Sequence, residues 1–191
     1  MSSENSVRVL GMSGSLRKGS FNTALLRAAG GVLPAGMELE IADISTIPLY
    51  NADLEGSAYP EVVRRIKEQV AAADALLFAV PEYNYSVSGV LKNAIDWVSR
   101  PATASPLSGK PMAMMGAGGR FGTARAQYHL RQIAVFTNML PLNKPEVMVM
   151  HASEKFDAQG NLADESVREE IRSLLAALAA WVRRLRGEGG A

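Results

Sequence analysis

Three short stretches of this 191-residue chain carry side chains whose types and spacing suit chemistry. The first, GMSGSLRKGSFN at 11–22, places three glycines, three serines, an arginine and a lysine directly after the apolar run Val7-Arg8-Val9-Leu10. A glycine and serine loop between a strand and a helix start offers unpaired backbone N–H groups, hydroxyls and the positive end of the helix dipole, which together outline a phosphate site. Arg17 and Lys18 add positive charge, and Arg17 can fork onto phosphate oxygens, while Ser20 and Asn22 are also helix-cap candidates. The second stretch is PEYNYSVSGVLKNAIDW at 81–97, where Tyr83 and Tyr85 flank Asn84, and the third is the glycine-rich Gly116-Ala-Gly-Gly119 followed by Arg120. Each has a purely structural reading beside the chemical one: a capped loop without a ligand, two packed tyrosines, and an ordinary strand-to-helix turn.

Several phosphate and catalytic motifs fail. Gly14 to Gly19 has the glycine spacing of a P-loop but continues with Ser20 and Phe21, so no lysine reaches the outer phosphates. Gly116, Gly118 and Gly122 miss the dinucleotide fingerprint by one residue, and Ser15 stands where a nucleophile elbow needs glycine. With no cysteine in the chain, thiolate nucleophiles, thiolate metal sites and disulfides are excluded together. His129 and His151 are too few for a metal site and read as structural histidines.

The elements that must position these stretches follow from periodicity. Strands are expected at Val7–Met12, Met37–Ile44, Ala75–Val80, Met112–Met115 and Pro145–Met150. Helices are expected from Phe21 to about Val32, from Pro60, from Val87 to Val98, over about Thr123–Thr137, and from Val167 to Arg186. Alternation of this kind implies right-handed crossovers and a parallel sheet covered on both faces, a three-layer α/β/α doubly wound sandwich. Ligands of such sheets sit at the strands' carboxyl ends, where all three stretches fall.

Composition bounds the rest. The length suits a single domain over 1–191, with about 187–191 expected as a flexible tail. Twenty Lys and Arg against nineteen Asp and Glu leave no global field that would draw nucleic acid or an anionic membrane. No run approaches the roughly 18 apolar residues of a membrane span, and no basic start leads into an apolar leader. A reducing cytoplasm suits the cysteine-free chain.

A serine-rich loop for a terminal phosphate on a five-stranded doubly wound sheet is the flavodoxin arrangement for FMN. GSLRKGSFN at 14–22, PLYN at 48–51, PEYNYSVSGVLKNAIDW at 81–97 and the glycine-rich loop at 116–119 together resemble the NADPH-dependent FMN reductases of the bacterial quinone and chromate reductase type. The resemblance implies a flavodoxin-like fold and non-covalent FMN, its phosphate in the loop of Ser15, Arg17, Ser20, Phe21 and Asn22. It also implies that Pro81, Glu82, Tyr83, Asn84 and Tyr85 border the flavin ring, mainly through backbone groups, with Gly116, Gly118 and Gly119 letting backbone pass close to it. Strand alternation in YNY would turn Tyr83 and Tyr85 to opposite sides, so that one of them touches the ring.

No catalytic side chain is implied, because the cofactor carries the electrons from NADPH or NADH in a ping-pong cycle. Quinones are the acceptors that the resemblance points to, with chromate, azo and nitro compounds as permissive ones. Arg17, Lys18, Arg100 and Arg120 would concentrate anions near the loops. Relatives of this type form dimers or tetramers, to which Trp97 and Val98, or a polar set of Arg125, Tyr128 and Glu146, would contribute. Two alternatives stay open from the residues alone: a flavodoxin-like electron carrier, for which the +1 balance supplies no acidic docking surface, and a phosphate or nucleotide sensor without redox activity.

Overall fold

The computed structural model describes residues 6–188. In chain order the strands are β1 Val7–Ser13, β2 Met37–Ala42, β3 Ala75–Ala79, β4 Glu82–Tyr83, β5 Ser86–Val87, β6 Pro111–Ala117, β7 Leu140–Pro141 and β8 Val147–Val149. The α-helices are α1 Phe21–Gly30, α2 Glu61–Ala72, α3 Gly89–Val98, α4 Ala124–Thr137 and α5 Glu165–Leu185. Every pairing in the main sheet is parallel, and the order is β2-β1-β3-β6, with β7 and β8 sharing the outer edge of β6. This is the flavodoxin-like order, and the direction of crossover reverses between β1 and β3.

The layers follow from period-two alternation in strands buried on both faces. Val7 and Val9 of β1, Leu77 of β3 and Met115 of β6 pack under α1 and α5. Their neighbours Leu10, Met12, Leu76, Phe78, Met112 and Met114 pack on the other face under α2, α3 and α4. The helices answer at helical spacing: Val63, Ile66 and Val70 are the buried stripe of α2, and Ile171, Leu174, Leu175, Leu178 and Val182 that of α5. Ser20, Ser88 and Asp164 cap α1, α3 and α5 through side-chain oxygens.

Two departures from the expected elements have local causes. The helix expected from Val87 begins at Gly89, because Val87 pairs with Glu82 in a two-stranded hairpin. The fifth strand, expected at 145–150, is the shorter β8, and an unexpected short piece, β7, precedes it on the same edge; Pro141 and Pro145 bring no N–H to that edge, so the chain leaves the sheet between them. Trp97 is fully buried and donates its indole N–H to the Pro48 carbonyl at 2.8 Å, so it belongs to the core rather than to an exposed contact face. Of the tail expected over 187–191, residues 189–191 lie outside the described residues, whereas Gly187 and Glu188 close α5. Their N–H groups donate to the carbonyls of Arg184 and Arg183, with Gly187 at φ +77°. Among the described residues no helix is long and apolar enough to cross a membrane.

Gly116 shows how tightly the carboxyl end of β6 is built. A Cβ there would fall inside van der Waals contact of the Thr123 hydroxyl and 2.5 Å from the Val80 carbonyl oxygen. Gly116→Ala should therefore lower stability by about 2–3 kcal/mol, read as a lower urea midpoint at unchanged m.

Candidate functional site

At the point of strand-order reversal, the loops after β1, β3 and β6 enclose a cleft of about 510 Å³, a volume typical of cofactor pockets. The β1 loop is held from below. Ser13 Oγ lies 2.8 Å from Thr23 Oγ1 and accepts from the Ser15 N–H at 3.3 Å, while Ser88 donates to the Gly14 carbonyl at 2.6 Å. Gly14 sits so close to Pro81 and Ser88 that a Cβ would lie 2.7 Å from the proline ring. The same Ser88 hydroxyl caps α3, which fixes the β1 loop against the β3 loop.

Above this base the loop presents donors. Ser20 Oγ accepts from the Thr23 N–H at 3.2 Å, leaving its O–H free to donate. The first backbone bond into α1 runs from Ala24 N–H to the Ser20 carbonyl. The N–H groups of Phe21 and Asn22 precede it and point out of the helix start with the positive end of the dipole. Ser15 lines the cleft with its hydroxyl 3.4 Å from the Tyr83 hydroxyl. The Arg17 guanidinium rests 5.4 Å from the Phe21 ring centroid, and Phe21 in turn stacks on Phe156 at 4.6 Å.

The side chain of Asn22 holds backbone rather than facing the cleft. Its amide donates to the Ala117 carbonyl and accepts from the Ala117 N–H, both at 3.0 Å, in a buried position. The side chain is therefore spent on joining α1 to the end of β6, and only its backbone N–H faces outward.

The β3 loop is the β4–β5 hairpin, closed by Asn84 and Tyr85 with φ of +50° and +68°. Two successive positive φ values are the signature of a type I′ turn, which twists with the strands. The strand alternation expected for YNY therefore does not hold: Tyr83 and Tyr85 both line the cleft.

Glu82, expected to act through backbone, acts through its carboxylate. It accepts from the N–H groups of Arg125 and Ala126 at 3.0 and 3.3 Å, and pairs with the Arg125 guanidinium at 2.5 Å. Thr123, the N-cap of α4, makes no side-chain capping bond, so a residue of the β3 loop caps this helix instead. The carboxylate side chain is only 8% exposed and its charge is fully answered. The Glu82 carboxylate and the backbone of Arg125 thereby join the second and third loops.

Every site residue expected from the sequence lines this cleft except Gly116, whose close neighbours are Thr123 and Val80. Gly118 lines it, although the direction of its missing Cβ points at the Gly122 carbonyl rather than into the cleft. Gly119, expected beside Gly118, also lines the cleft; the sequence reading missed Ala117, Phe121, Gly122 and Arg125 as lining residues and left Arg120 with two readings. An available signal was the run of cation, aromatic and cation at 120, 121 and 125 immediately after the glycine-rich loop.

Arg100 and Lys18, grouped earlier with the loop cations, do not line the cleft. Helix α3 starts beneath the β1 loop, where its N-cap Ser88 holds Gly14, and runs about 15 Å over its ten residues, which carries Arg100 to the rings of Tyr50 and Phe136 at 5.7 and 5.9 Å. Arg125 pairs with Glu82 rather than Glu146; Glu146 has its carboxyl held below the usual range by Lys144 first, with Tyr128 contributing. His129 lies 2.8 Å from the Ser86 hydroxyl. Among the described residues no three His, Asp or Glu side chains gather as a metal-ligand set.

The donor set tests well against a phosphorylated planar cofactor. The β1 loop and the start of α1 supply two free backbone N–H groups, the Ser15 and Ser20 hydroxyls and one guanidinium, and Glu82, the one carboxylate in the cleft lining, is neutralised. The loops after β3 and β6 add the rings of Tyr83, Tyr85 and Phe121 and the glycine backbone of 118, 119 and 122.

Sheet order, with a cleft at the strand reversal, defines a flavodoxin-like protein. Within that class, residues 7–154 match the model of the NADPH-dependent FMN reductase family, and the chain belongs to it. FMN is the flavin of that family and NAD(P)H its electron donor. The chain is 62% identical to the NAD(P)H-dependent FMN reductase PA1204 of Pseudomonas aeruginosa, over 95% of this chain and 98% of that one. It is 47% identical to an NADPH:quinone oxidoreductase of Arabidopsis thaliana, over 95% of both. Among solved structures, the flavoenzyme NAD(P)H:(acceptor) oxidoreductase FerB from Paracoccus denitrificans superposes with a TM-score of 0.84 at 33% identity, covering 93% of this chain and 98% of that one.

Because the Asn22 amide satisfies two buried backbone groups 95 residues away, Asn22→Ala should cost about 2–4 kcal/mol, seen as a fall in the urea midpoint of the flavin-free protein. An unchanged midpoint would remove the clasp from this account.

Proposed function

We propose that the chain is an NAD(P)H:quinone oxidoreductase that binds FMN in the described cleft and catalyses NAD(P)H + H⁺ + quinone → NAD(P)⁺ + hydroquinone. The observation that carries the reading is that the α1 N-terminus, the Ser15 and Ser20 hydroxyls and Arg17 of one loop line the same cleft as the aromatic rings and glycine backbone of the loops after β3 and β6. Bound FMN supplies a two-electron relay between nicotinamide and acceptor.

The chain's own residues do the positioning. Ser15, Ser20, Arg17 and the backbone N–H groups of Phe21 and Asn22 hold the phosphate. The backbone of Pro81 to Tyr85 and of Gly118 and Gly119 borders the ring, and the rings of Tyr83 and Tyr85 shield it from bulk water. Donor and acceptor use the same open side in turn, which makes the cycle ping-pong.

Chromate, azo and nitro compounds extend the acceptor range, because exposed rings and backbone make up much of the cleft lining. Arg17 and Arg120, rather than Arg100, are the cations placed to draw an anionic one in. A dimer or tetramer is supported by exposed Leu49, Val135 and Phe136, with Arg100 near both Phe136 and Tyr50. A cytoplasmic location matches the nicotinamide supply.

Protein loaded with FMN and desalted should stay yellow, bleach with NADPH in the absence of oxygen, and regain colour with benzoquinone; a colourless protein would sink the flavin reading. Arg17→Gln should weaken FMN about tenfold, the share of one charge-assisted contact, and leave riboflavin affinity unchanged in a fluorescence titration. Equal losses for both flavins would move the phosphate elsewhere.

A further inference from the structure

We propose that Tyr85, Arg125, Phe121 and Arg120 form a recognition wall at the cleft that favours planar acceptors bearing a negative charge, with Arg120 as the residue that reads the charge. The inference rests on the reductase reading of the same cleft. Rings and guanidinium groups alternate along the wall. Arg125 Cζ lies 3.6 Å from the Tyr85 centroid and 4.9 Å from that of Phe121. Arg120 Cζ lies 5.4 Å from the Phe121 centroid. All four side chains line the cleft, and Tyr85 and Phe121 remain 67% and 53% exposed. Large apolar surfaces left this open beside a binding cleft are available to an incoming ring.

The two cations are not equivalent. Arg125 is committed, paired with the nearly buried Glu82 carboxylate whose other oxygen caps α4. It acts as the frame that holds Tyr85 and Phe121 together. Among the described residues no carboxylate lies within ion-pair distance of Arg120. Two guanidinium charges against one carboxylate leave the wall a net +1, located on Arg120. A guanidinium is weakly hydrated and stacks readily, so meeting an anion costs it little desolvation and breaks no existing pair. A ring entering this cleft therefore meets π surface and one free cation together, which favours quinones ionised at neutral pH, such as quinone sulfonates and hydroxyquinones, over their neutral parents.

The matched probes are 1,2-naphthoquinone and its 4-sulfonate, mixed in a stopped-flow instrument with FMN-loaded protein already reduced by one equivalent of NADPH. The quantity read is the ratio of the two second-order reoxidation constants. It should fall about fivefold in Arg120→Gln, stay within about twofold of wild type in Arg120→Lys, and decline with added salt in wild type. A redox-inert analogue, 2-naphthalenesulfonate, should lose affinity for Arg120→Gln in the same proportion by calorimetry, which a merely structural role would not produce.

An unchanged ratio in Arg120→Gln while the parent quinone still reoxidises the protein would overturn the wall and leave the reductase reading standing. Reoxidation by neither quinone in wild type would overturn both. If Arg120→Gln instead slows reduction by NADPH relative to NADH and spares the quinone ratio, the charge reads the donor's phosphate, and the acceptor inference is wrong.

Discussion

The reversal of crossover direction between β1 and β3 is the constraint on which the site depends. The connection from β1 leaves toward β2, and that from β3 leaves toward β6, so the loops above the two strands part and leave a crevice that no side chain of the sheet can fill. The chain lines this crevice with backbone and small residues at its base and keeps it narrow through contacts that are almost all between loops. Ser88 illustrates the economy: one hydroxyl caps α3 and holds the Gly14 carbonyl. A shift of α3 would therefore move the phosphate loop with it.

Charge is arranged by the same logic. The positive helix ends that face the cleft are treated differently. That of α1 keeps its first two N–H groups free for a ligand, whereas that of α4 is closed by Glu82. Had both been left open, two regions of the cleft would have competed for one phosphate. Glu82 also removes the charge of Arg125, so that anion affinity is concentrated at Arg17 and Arg120, at different parts of one pocket. A phosphate-bearing planar cofactor and a separate electron acceptor are the ligands that this division accommodates.

Much of the fold was legible because its signals are short-range. The unbroken apolar run of Ala75 to Ala79 and the helical spacing in Val167 to Val182 are read within a few residues of each position, and both elements formed where those patterns placed them. The site was legible to the level of its three loops, but not to the role of each residue. Asn22 carries the same amide whether it binds a phosphate or a distant backbone, and only the approach of Ala117 decided between them. Gly116 looks like a ligand-facing glycine until Thr123 is placed beside it. The YNY segment misled because a type I′ turn takes two residues out of strand alternation, and Asn-Tyr is not the glycine-containing pair that announces such a turn.

The sequence by itself therefore determined the layer order, the place of the first loop at a strand's carboxyl end and the family resemblance, all of which reside in local pattern and in motif order along the chain. Tertiary structure alone decided that Glu82 caps α4, that Arg125 joins Tyr85 to Phe121, and that Arg100 leaves the cleft while Arg120 remains in it. The physical reason is range. A side chain's hydrogen-bonding capacity and charge can be spent once, and the partners that consume them here stand 43 to 95 residues away in the chain.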